Sequence, residues 1–448
     1  MTALCSAQVC GTTYSILIDE HARIVSHTPK NEHPYIFIKV ELNVMVYAIV
    51  GHHYWNRPGG GQLVCASVAY SFDKIGYEPV LTSTTNFIAE KYSEWFGIDL
   101  VKYKKYSWNM NLKMFGLYLR LVASRPIIKA LKKFKSEIVF TDESTYKPLI
   151  KEKRKTKFKV IEYMHFPYEV SVDPRFKNTG LNYGEDPYIL ERYGQFPMNI
   201  YWKVYVGLLP FFLRKNPFQA ADLVLTNSNW TADLAKQVYG ERPYVLNPPI
   251  PPNVEIVNET KPFEEKEKAI VMLGRFSEEK RYHWVITEVM PKLIKEVPGV
   301  KLNIFGGAGT RTSRMYIERL KKLITDAKLE ENVFLIPDAP RTQINEAMDG
   351  SRAFLHATVN EHWGIVVAEA LARKLPVVVH KSGGAWSDIT QEGKYGLGYE
   401  SSDEAVESIS KLLTDAKFWA GFSSAERVRE LTLDSFVQKF SKLIKSVT

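Results

Sequence analysis

Short apolar segments typical of strands alternate with helical patterns along most of the 448-residue chain. This alternation predicts parallel sheets covered by helices, because neighbouring parallel strands must be joined by crossover connections. The predicted strands of the first half are 42–50, 79–82, 138–141, 159–164 and 223–226. Those of the second half are 269–273, 301–305, 333–336, 352–357 and 376–380. We therefore expect an α/β protein with two parallel sheets.

A proline-rich segment, NPPIPP at residues 247–252, separates these halves and reads as a stiff, extended connection. The predicted divisions are an extension at 1–40, a first domain at 41–246, a linker at 247–260, a second domain at 261–430 and a final segment at 431–448. Apolar residues recur at helical spacing in that final segment. The extension has no clear period, and Met45 is an alternative initiator for the folded part.

The composition fits a soluble globular protein, with 45% hydrophobic and 24% charged residues. No apolar run approaches the roughly 18 residues that a membrane-spanning helix requires. The first residues lack the basic and apolar pattern of a secretory signal, so none is expected. Three cysteines form no disulfide framework or metal motif, which indicates a reducing compartment.

Positive charge is concentrated in one segment of the chain. Residues 101–160 contain 17 Lys and Arg against 4 acidic residues, within a net charge of +9 for the whole protein. Basic, aromatic and apolar residues mix in two segments, 101–135 and 198–218. This mixture favours an anionic membrane surface, although a pair of core helices remains the alternative. No nucleic-acid module is recognised, so contact with RNA would be non-specific.

The segment 354–388 contains the strongest candidate site. Its pattern is strand, loop, helix and strand, and Gly364 stands where the helix begins. The start of such a helix presents backbone N–H groups to a diphosphate, and glycine lets the ligand come close. Glu361 and Glu369 lie eight residues apart, close enough to address one ligand, and a carboxylate suits the two hydroxyls of a ribose. Alternatively, both acids belong to an ordinary amphipathic helix.

Three further motifs follow predicted strands. Arg275 and Lys280 come after a strand-ending glycine, five residues apart, and can converge on a diphosphate. Glycines at 59–61 and Gly307 allow close approach of the backbone to a ligand. His165 follows the strand at 159–164, the end of a strand at which doubly wound folds bind ligands. Each motif also has an explanation without a ligand: the basic pair as solvated charges, the glycines as tight turns and the histidine as a structural residue.

The segment 354–388 resembles the signature of retaining GT-B glycosyltransferases of family 4, an E-x7-E pair within E-[HG]-[FW]-G-[IL]-x-x-x-E-A. The matching residues are Glu361, His362, Trp363, Gly364, Ile365, Glu369 and Ala370. The turn Ser382–Ile389 is similar to that of α-1,2-mannosyltransferases that build lipid-linked oligosaccharides. The resemblance extends roughly over residues 42–440. It implies a GT-B fold, with two Rossmann-like parallel-sheet domains facing a cleft and a C-terminal helix crossing back to the first domain.

The resemblance also implies roles for individual residues. Four residues are implied to be catalytic. His165 would lie beside the donor sugar, Arg275 and Lys280 at the leaving diphosphate, and Glu361 at the sugar hydroxyls. The implied donor-binding group is Gly60, Gly61, Gly307, Gly364, Ile365, Val366 and Glu369. No two aspartates lie two residues apart, so the D-x-D metal motif is absent and neither metal nor cofactor is expected.

The function implied by the resemblance is transfer of mannose or glucose, with retention, from GDP-mannose or UDP-glucose to a dolichyl- or polyprenyl-linked oligosaccharide in N-glycan assembly. The expected location is the cytoplasmic face of a membrane, as a peripheral protein. Two alternatives stay open at this point. One is a transferase acting on another glycolipid or a soluble sugar, and the other is a non-catalytic binder of nucleotide sugars or nucleic acid.

Overall fold

The computed structural model describes residues 3–9, 12–18, 24–25, 46–110, 116–214 and 216–447. The chain divides into two compact units, Met1–Val46 and Tyr47–Thr448. The first unit contains a small antiparallel sheet of β1 (Ala3–Val9), β2 (Thr12–Ile18) and β3 (Ile24–Val25). The sequence pattern predicted no element there. This sheet corrects that prediction, and its strands were missed because polar and apolar residues alternate only weakly in them.

The second unit contains two parallel sheets. The first has seven strands in the order β10-β9-β8-β7-β4-β5-β6. They are β4 (Val46–Gly51), β5 (Tyr77–Ser83), β6 (Lys104–Ser107), β7 (Ile138–Thr141), β8 (Lys159–Met164), β9 (Leu223–Thr226) and β10 (Tyr244–Val245). The predicted start of β4, residues 42–45, lies outside the described residues. The central strands are buried almost throughout, as expected for a sheet covered on both faces.

The second sheet has six strands in the order β13-β12-β11-β14-β15-β16. They are β11 (Glu267–Leu273), β12 (Lys301–Gly306), β13 (Val333–Pro337), β14 (Ser351–His356), β15 (Val377–His380) and β16 (Leu397–Tyr399). From β11 the chain adds β12 and β13 on one side, and it then returns to place β14 on the other side of β11. This change of direction is the strand-order reversal of a doubly wound fold. Residues 247–260, between the two sheets, contain no helix or strand.

Helices connect the strands of both sheets. Those before residue 247 are α1 (Gly60–Lys74), α2 (Lys91–Phe96), α3 (Ser124–Phe134), α4 (Lys147–Lys153), α5 (Tyr168–Val172), α6 (Pro187–Tyr193), α7 (Met198–Phe212), α8 (Pro217–Ala220) and α9 (Asn229–Tyr239). The later ones are α10 (Tyr282–Trp284), α11 (Met290–Glu296), α12 (Arg311–Asp326), α13 (Arg341–Gly350), α14 (Ile365–Ala372), α15 (Ser402–Thr414), α16 (Ala416–Ala420), α17 (Ala425–Glu430) and α18 (Leu433–Ile444).

Shorter helical turns complete the connections. The 3₁₀ turns are Gly116–Val122, Pro174–Phe176, Phe263–Glu265 and Glu278–Lys280, and the π-helical turns are Val285–Val289 and Ala385–Ile389. In the described part of the chain, every helix is too short or too polar to cross a bilayer.

The last helix returns to the first domain. Phe440 of α18 packs edge-on against Phe72 of α1, with ring centroids 5.0 Å apart. Phe436 and Ile444, one turn to either side, belong to the same buried cluster as the inner face of α1. The apolar spacing in the sequence therefore produced the predicted crossing helix, which ties the end of the chain to the first sheet.

Candidate active site

The loop after β14 carries Glu361, whose carboxylate faces two basic side chains. Lys280 Nζ donates to Glu361 Oε2 at 2.8 Å, and His356 Nε2 lies 3.2 Å from the same oxygen. Burial alone would raise the pKa of Glu361, but Lys280 and His356 outweigh it and hold that pKa well below its usual value. Glu361 is therefore an ionised carboxylate that can accept hydrogen bonds from sugar hydroxyls.

His356 is a site residue that the sequence analysis missed. It ends β14, is 3% exposed, and has its pKa lowered by burial, which favours the neutral imidazole. A neutral imidazole with its proton on Nε2 donates to the Glu361 carboxylate and fixes its orientation. The signal was available, because a histidine at the carboxyl end of a strand is also what selected His165.

Gly364 shapes the start of α14. Its φ of 92° is left-handed, which favours glycine, and an added Cβ would lie 3.4 Å from Glu361 Cγ. The N–H groups of Ile365 and Val366 belong to the first turn of α14, where an α-helix offers no internal acceptor. Backbone donors and the Glu361 carboxylate therefore lie side by side, as a diphosphate-linked sugar requires.

Glu369 lies deeper along the same helix and is 4% exposed. Its Oε2 accepts from Arg341 Nη1 at 2.7 Å. Arg341 is the first residue of α13, after the carboxyl end of β13, and the sequence analysis did not select it. The arginine neutralises a buried carboxylate that would otherwise be costly, and it holds one oxygen while the other stays available to a ligand.

The loop after β11 separates the two predicted diphosphate residues. Lys280 is largely buried against Glu361, whereas the Arg275 side chain is 61% exposed and pairs with Glu279 at 3.0 Å. Gly307, at the end of β12, accepts from the Phe276 backbone N–H at 3.3 Å, so it lies against this loop. The structure thus brings Lys280 and Glu361 together and leaves Arg275 at the exposed rim of the same loop.

His165 lies across the cleft, at the carboxyl end of β8, in a buried polar cluster. Its Nε2 is 3.0 Å from Asp142 Oδ2, and His52 Nδ1 is 2.7 Å from Asp142 Oδ1. Burial would raise the pKa of Asp142, but His52 and His165 outweigh it and lower that pKa. Since β4, β7 and β8 are neighbours in the sheet, their carboxyl ends bring these three side chains together.

The glycine turn before α1 borders this cluster. An added Cβ at Gly61 would lie 3.0 Å from Asp142 Oδ2 and 3.3 Å from His165 Nε2. An added Cβ at Gly60 would lie 3.5 Å from Ile365 Cδ1, which belongs to the second domain. The two predicted glycines therefore allow the start of α1 to approach both His165 and the start of α14.

A second histidine–carboxylate pair lies beside the first. His53 Nδ1 is hydrogen-bonded to Glu143, and Arg120 Nε donates to Glu143 Oε2 at 3.1 Å. Burial would raise the pKa of Glu143, but Arg120 and His53 outweigh it and lower that pKa to about 2. The sequence analysis missed both pairs because their partners are about 90 residues apart in the chain.

This cluster also contains the groupings of metal-ligand atoms found in the described residues. One is His52, Cys65 and Asp142, and the other is His52, His53 and Glu143, each with ligand atoms within 4.8 Å of one another. The nitrogen and carboxylate atoms are already hydrogen-bonded to each other, and Arg120 adds positive charge, so the set is satisfied without a cation. Independence from metal stays a prediction.

Comparison with known families matches residues 254–429 to the family Glycosyl transferases group 1. The matched segment spans almost all of the second domain. It contains Lys280, Glu361, Glu369 and Arg341, and therefore the whole of the charged site at the carboxyl edge of the second sheet.

Curated proteins similar to this chain carry the name GDP-Man:Man(3)GlcNAc(2)-PP-Dol alpha-1,2-mannosyltransferase. The Homo sapiens protein is 27% identical over 207 residues, which cover 43% of this chain and 42% of that protein. The Caenorhabditis elegans protein is 23% identical over 415 residues, 81% of this chain and 83% of that protein. The alignment with the human relative thus spans less than half of either sequence.

Solved structures match at the level of the fold. Anabaena Alr3699/HepE in complex with UDP has a TM-score of 0.61 and 16% identity, covering 90% of this chain and 99% of that one. Sucrose-phosphate synthase from Thermosynechococcus elongatus has a TM-score of 0.60 and 16% identity, covering 90% and 98%. These likenesses and the two parallel sheets confirm the predicted GT-B fold, and the relatives' names confirm the resemblance to lipid-linked-oligosaccharide mannosyltransferases.

Proposed function

We propose that this chain is a retaining, metal-independent hexosyltransferase that moves mannose from GDP-mannose to a lipid-linked oligosaccharide. The observation that carries the proposal is the contact of Lys280 with Glu361 beside the start of α14, within a group 1 glycosyltransferase domain. A cation, backbone N–H groups and an ionised carboxylate are the groups needed to hold a diphosphate and the hydroxyls of its sugar.

In this proposal the second domain binds the donor. Lys280, Arg275 and the N–H groups of Ile365 and Val366 stabilise the diphosphate as it leaves, since negative charge grows there in the transition state. The acceptor hydroxyl attacks the anomeric carbon from the face that the diphosphate leaves, and its proton passes to the departing phosphate oxygen. Glu361 orients the sugar hydroxyls and Glu369 accepts from the ribose.

The relatives' printed name supports GDP-mannose over UDP-glucose as the donor and a dolichyl-diphosphate oligosaccharide as the acceptor. His165, held by Asp142, would face the sugar from the first domain. Transfer to another glycolipid or to a soluble sugar remains the alternative for the acceptor, and nucleotide-sugar binding without transfer is the alternative to catalysis.

The proposed acceptor is a lipid, and the surface of the first domain supports its docking at an anionic membrane. Helix α7 buries Tyr205 and Leu209 but leaves large apolar side chains in solvent. The exposed ones around it are Phe196 (78%), Ile200 (54%), Val204 (49%) and Phe211 (73%). Tyr118 donates to the Tyr201 carbonyl at 2.9 Å, so the other aromatic segment packs on this helix. Residues 111–115 of that segment lie outside the described residues.

Transfer is tested with purified protein, radiolabelled GDP-mannose or UDP-glucose, and a dolichyl-diphosphate oligosaccharide in detergent, with and without EDTA. We expect labelled product from GDP-mannose at a rate that EDTA leaves unchanged. Product from UDP-glucose alone would contradict the donor, and loss of activity in EDTA would contradict metal independence.

Binding is tested separately by thermal stability with GDP and UDP. A nucleotide at about 100 times its dissociation constant adds roughly 2.7 kcal/mol of stability. We expect GDP to stabilise the wild type and Glu267→Gln, an exposed control, but to stabilise Glu369→Gln much less. Equal stabilisation of both variants would remove Glu369 from the donor site.

A further inference from the structure

Two sequence motifs from different domains meet in one partly buried contact beside the candidate active site. We call it the domain joint. It consists of Phe166, Ser228, Asn229 and Trp230 from the first domain and His362, Gly384 and Asp388 from the second. The second motif, the turn Ser382–Ile389, received no function from the sequence alone.

The first component of the joint is a helix cap that two domains share. Ser228 accepts from the backbone N–H of Thr231, the third residue of α9, at 3.1 Å. Asp388, from the second domain, accepts from the backbone N–H groups of Asn229 at 2.8 Å and Trp230 at 3.4 Å, the first two residues of α9. Asp388 is 3% exposed. Its carboxylate therefore supplies the acceptors that Ser228 cannot, at the positive end of the helix.

The second component connects the joint to the loop of Glu361. The Ser228 hydroxyl donates to the His362 carbonyl oxygen at 2.8 Å. The ring of His362 stacks on that of Phe166, with centroids 4.3 Å apart and planes 8° from parallel, and Trp230 stacks on His362 from 5.9 Å. Gly384 makes this contact possible, since an added Cβ would lie 2.8 Å from Ser228 Cβ.

The stacked pair is adjacent in the chain to two proposed site residues. Phe166 follows His165, and His362 follows Glu361. The His165 carbonyl also accepts from Asn227 Nδ2 at 2.9 Å, next to Ser228. A shift of one domain relative to the other at the joint therefore moves His165 relative to Glu361.

We propose that Asp388 is a positioning residue, which by capping α9 from the other domain holds Glu361 opposite His165 across the cleft. The catalytic consequence rests on the proposed function. The structural consequence does not, because the joint exists whatever the chain transfers. The charged groups proposed to hold the nucleotide, Lys280, Arg275 and Glu369, lie in the second domain, so we expect loss of the joint to spare nucleotide binding and impair transfer.

The test compares Asp388→Ala with Asp415→Ala. Asp415 is a matched control because it caps α16 within the second domain, accepting from the Phe418 N–H at 2.9 Å. We expect Asp388→Ala to enlarge the radius of gyration in small-angle X-ray scattering, and to lower the transfer rate by about tenfold to a hundredfold. The dissociation constant of Asp388→Ala for GDP should stay within about twofold of the wild type. Asp415→Ala should match the wild type in radius of gyration, transfer rate and GDP affinity.

The conservative variant Asp388→Asn keeps an oxygen acceptor but removes the charge, so we expect intermediate changes in radius of gyration and transfer rate. If Asp388→Ala does not fold, Asp388→Asn is the variant that tests the proposal. Scattering of either Asp388 variant equal to that of Asp415→Ala would overturn the proposal. So would a loss of GDP affinity as large as the loss of transfer, which would indicate damage within the second domain. Absence of transfer in the wild type would overturn the proposed function, while the scattering comparison would still decide on the joint.

Discussion

The carboxyl edges of the two sheets carry different kinds of charged groups. At the second sheet, Glu361 is paired with Lys280 and His356, and Glu369 with Arg341, beside a glycine turn that opens a helix. At the first sheet, Asp142 is enclosed by two histidines and is almost fully buried. Pairs at the second sheet can exchange partners with an anionic ligand, whereas the first cluster is satisfied internally. The second edge is therefore suited to binding and the first to holding His165 in one orientation.

The largest effect is expected for Lys280→Ala, which removes the buried cation at the proposed diphosphate site. Loss of one such charge-stabilising group typically costs about a hundredfold to a thousandfold in rate. We expect transfer to fall by that factor and GDP affinity to fall as well, measured by radiolabel assay and calorimetry. The control is Lys301→Ala, because Lys301 forms an exposed ion pair with Glu267 in the same domain. This variant should behave as the wild type. Unchanged GDP affinity in Lys280→Ala would break the assignment of binding to this edge.

A smaller effect is expected for Asp142→Asn in the first cluster. The amide cannot accept from both His52 and His165 as the carboxylate does, so His165 loses its orientation. We expect transfer to fall by about tenfold to a hundredfold with GDP affinity unchanged, because the donor is bound by the other domain. The control Asp73→Asn, at a partly exposed ion pair with Lys102, should leave both unchanged. An equal loss of GDP affinity in Asp142→Asn would contradict the assignment of nucleotide binding to the second edge and of His165 orientation to the first.

The two domains should also differ in their response to pH. Burial lowers the pKa of His283, His362 and His380 in the second domain to about 4. Between the unfolded value of about 6.5 and pH 4, the unfolded chain binds more protons than the folded one, so stability falls as pH falls. The first domain has shifts in both directions. Asp142 outweighs burial and raises the pKa of His52, whose contribution is lost as pH rises, whereas burial lowers the pKa of His53.

The measurement is thermal unfolding of the wild type and His380→Gln from pH 7 to pH 4. We expect the melting temperature of the wild type to fall between pH 7 and pH 4. The fall in melting temperature of His380→Gln should be smaller by about 2 to 4 °C. Identical slopes for the two proteins would contradict the assignment of this pH dependence to buried histidines.

The smallest effect concerns the surfaces of the two domains. Phe211→Ser removes an apolar side chain that is 73% exposed on α7, and Met315→Ser makes the same change at a 62% exposed position in the second domain. We expect Phe211→Ser to reduce co-sedimentation with anionic liposomes at low salt by a few fold, with Met315→Ser unchanged. If both variants bind as the wild type does, the membrane surface does not involve α7.

Prediction of a site from sequence was possible where the determinants are local. Gly364, Glu361 and Glu369 lie in one short segment, so their spacing along a loop and helix was enough to propose a common site. His356 and Arg341 were missed although each follows a strand of the same sheet, because a single basic residue at a strand end is common. His52 and Asp142 could not be paired at all, since 90 residues separate them and only the strand order brings them together.

The sequence by itself determined the alternation of strands and helices, the GT-B resemblance and the residues of the candidate donor motif, because periodicity, turns and short-range spacing are properties of neighbouring residues. The tertiary structure alone decided which charges neutralise one another and how the domains meet. Asp388 completes the cap of a helix that begins 159 residues earlier. Such a contact depends on how the two sheets pack against each other, and no local pattern encodes it.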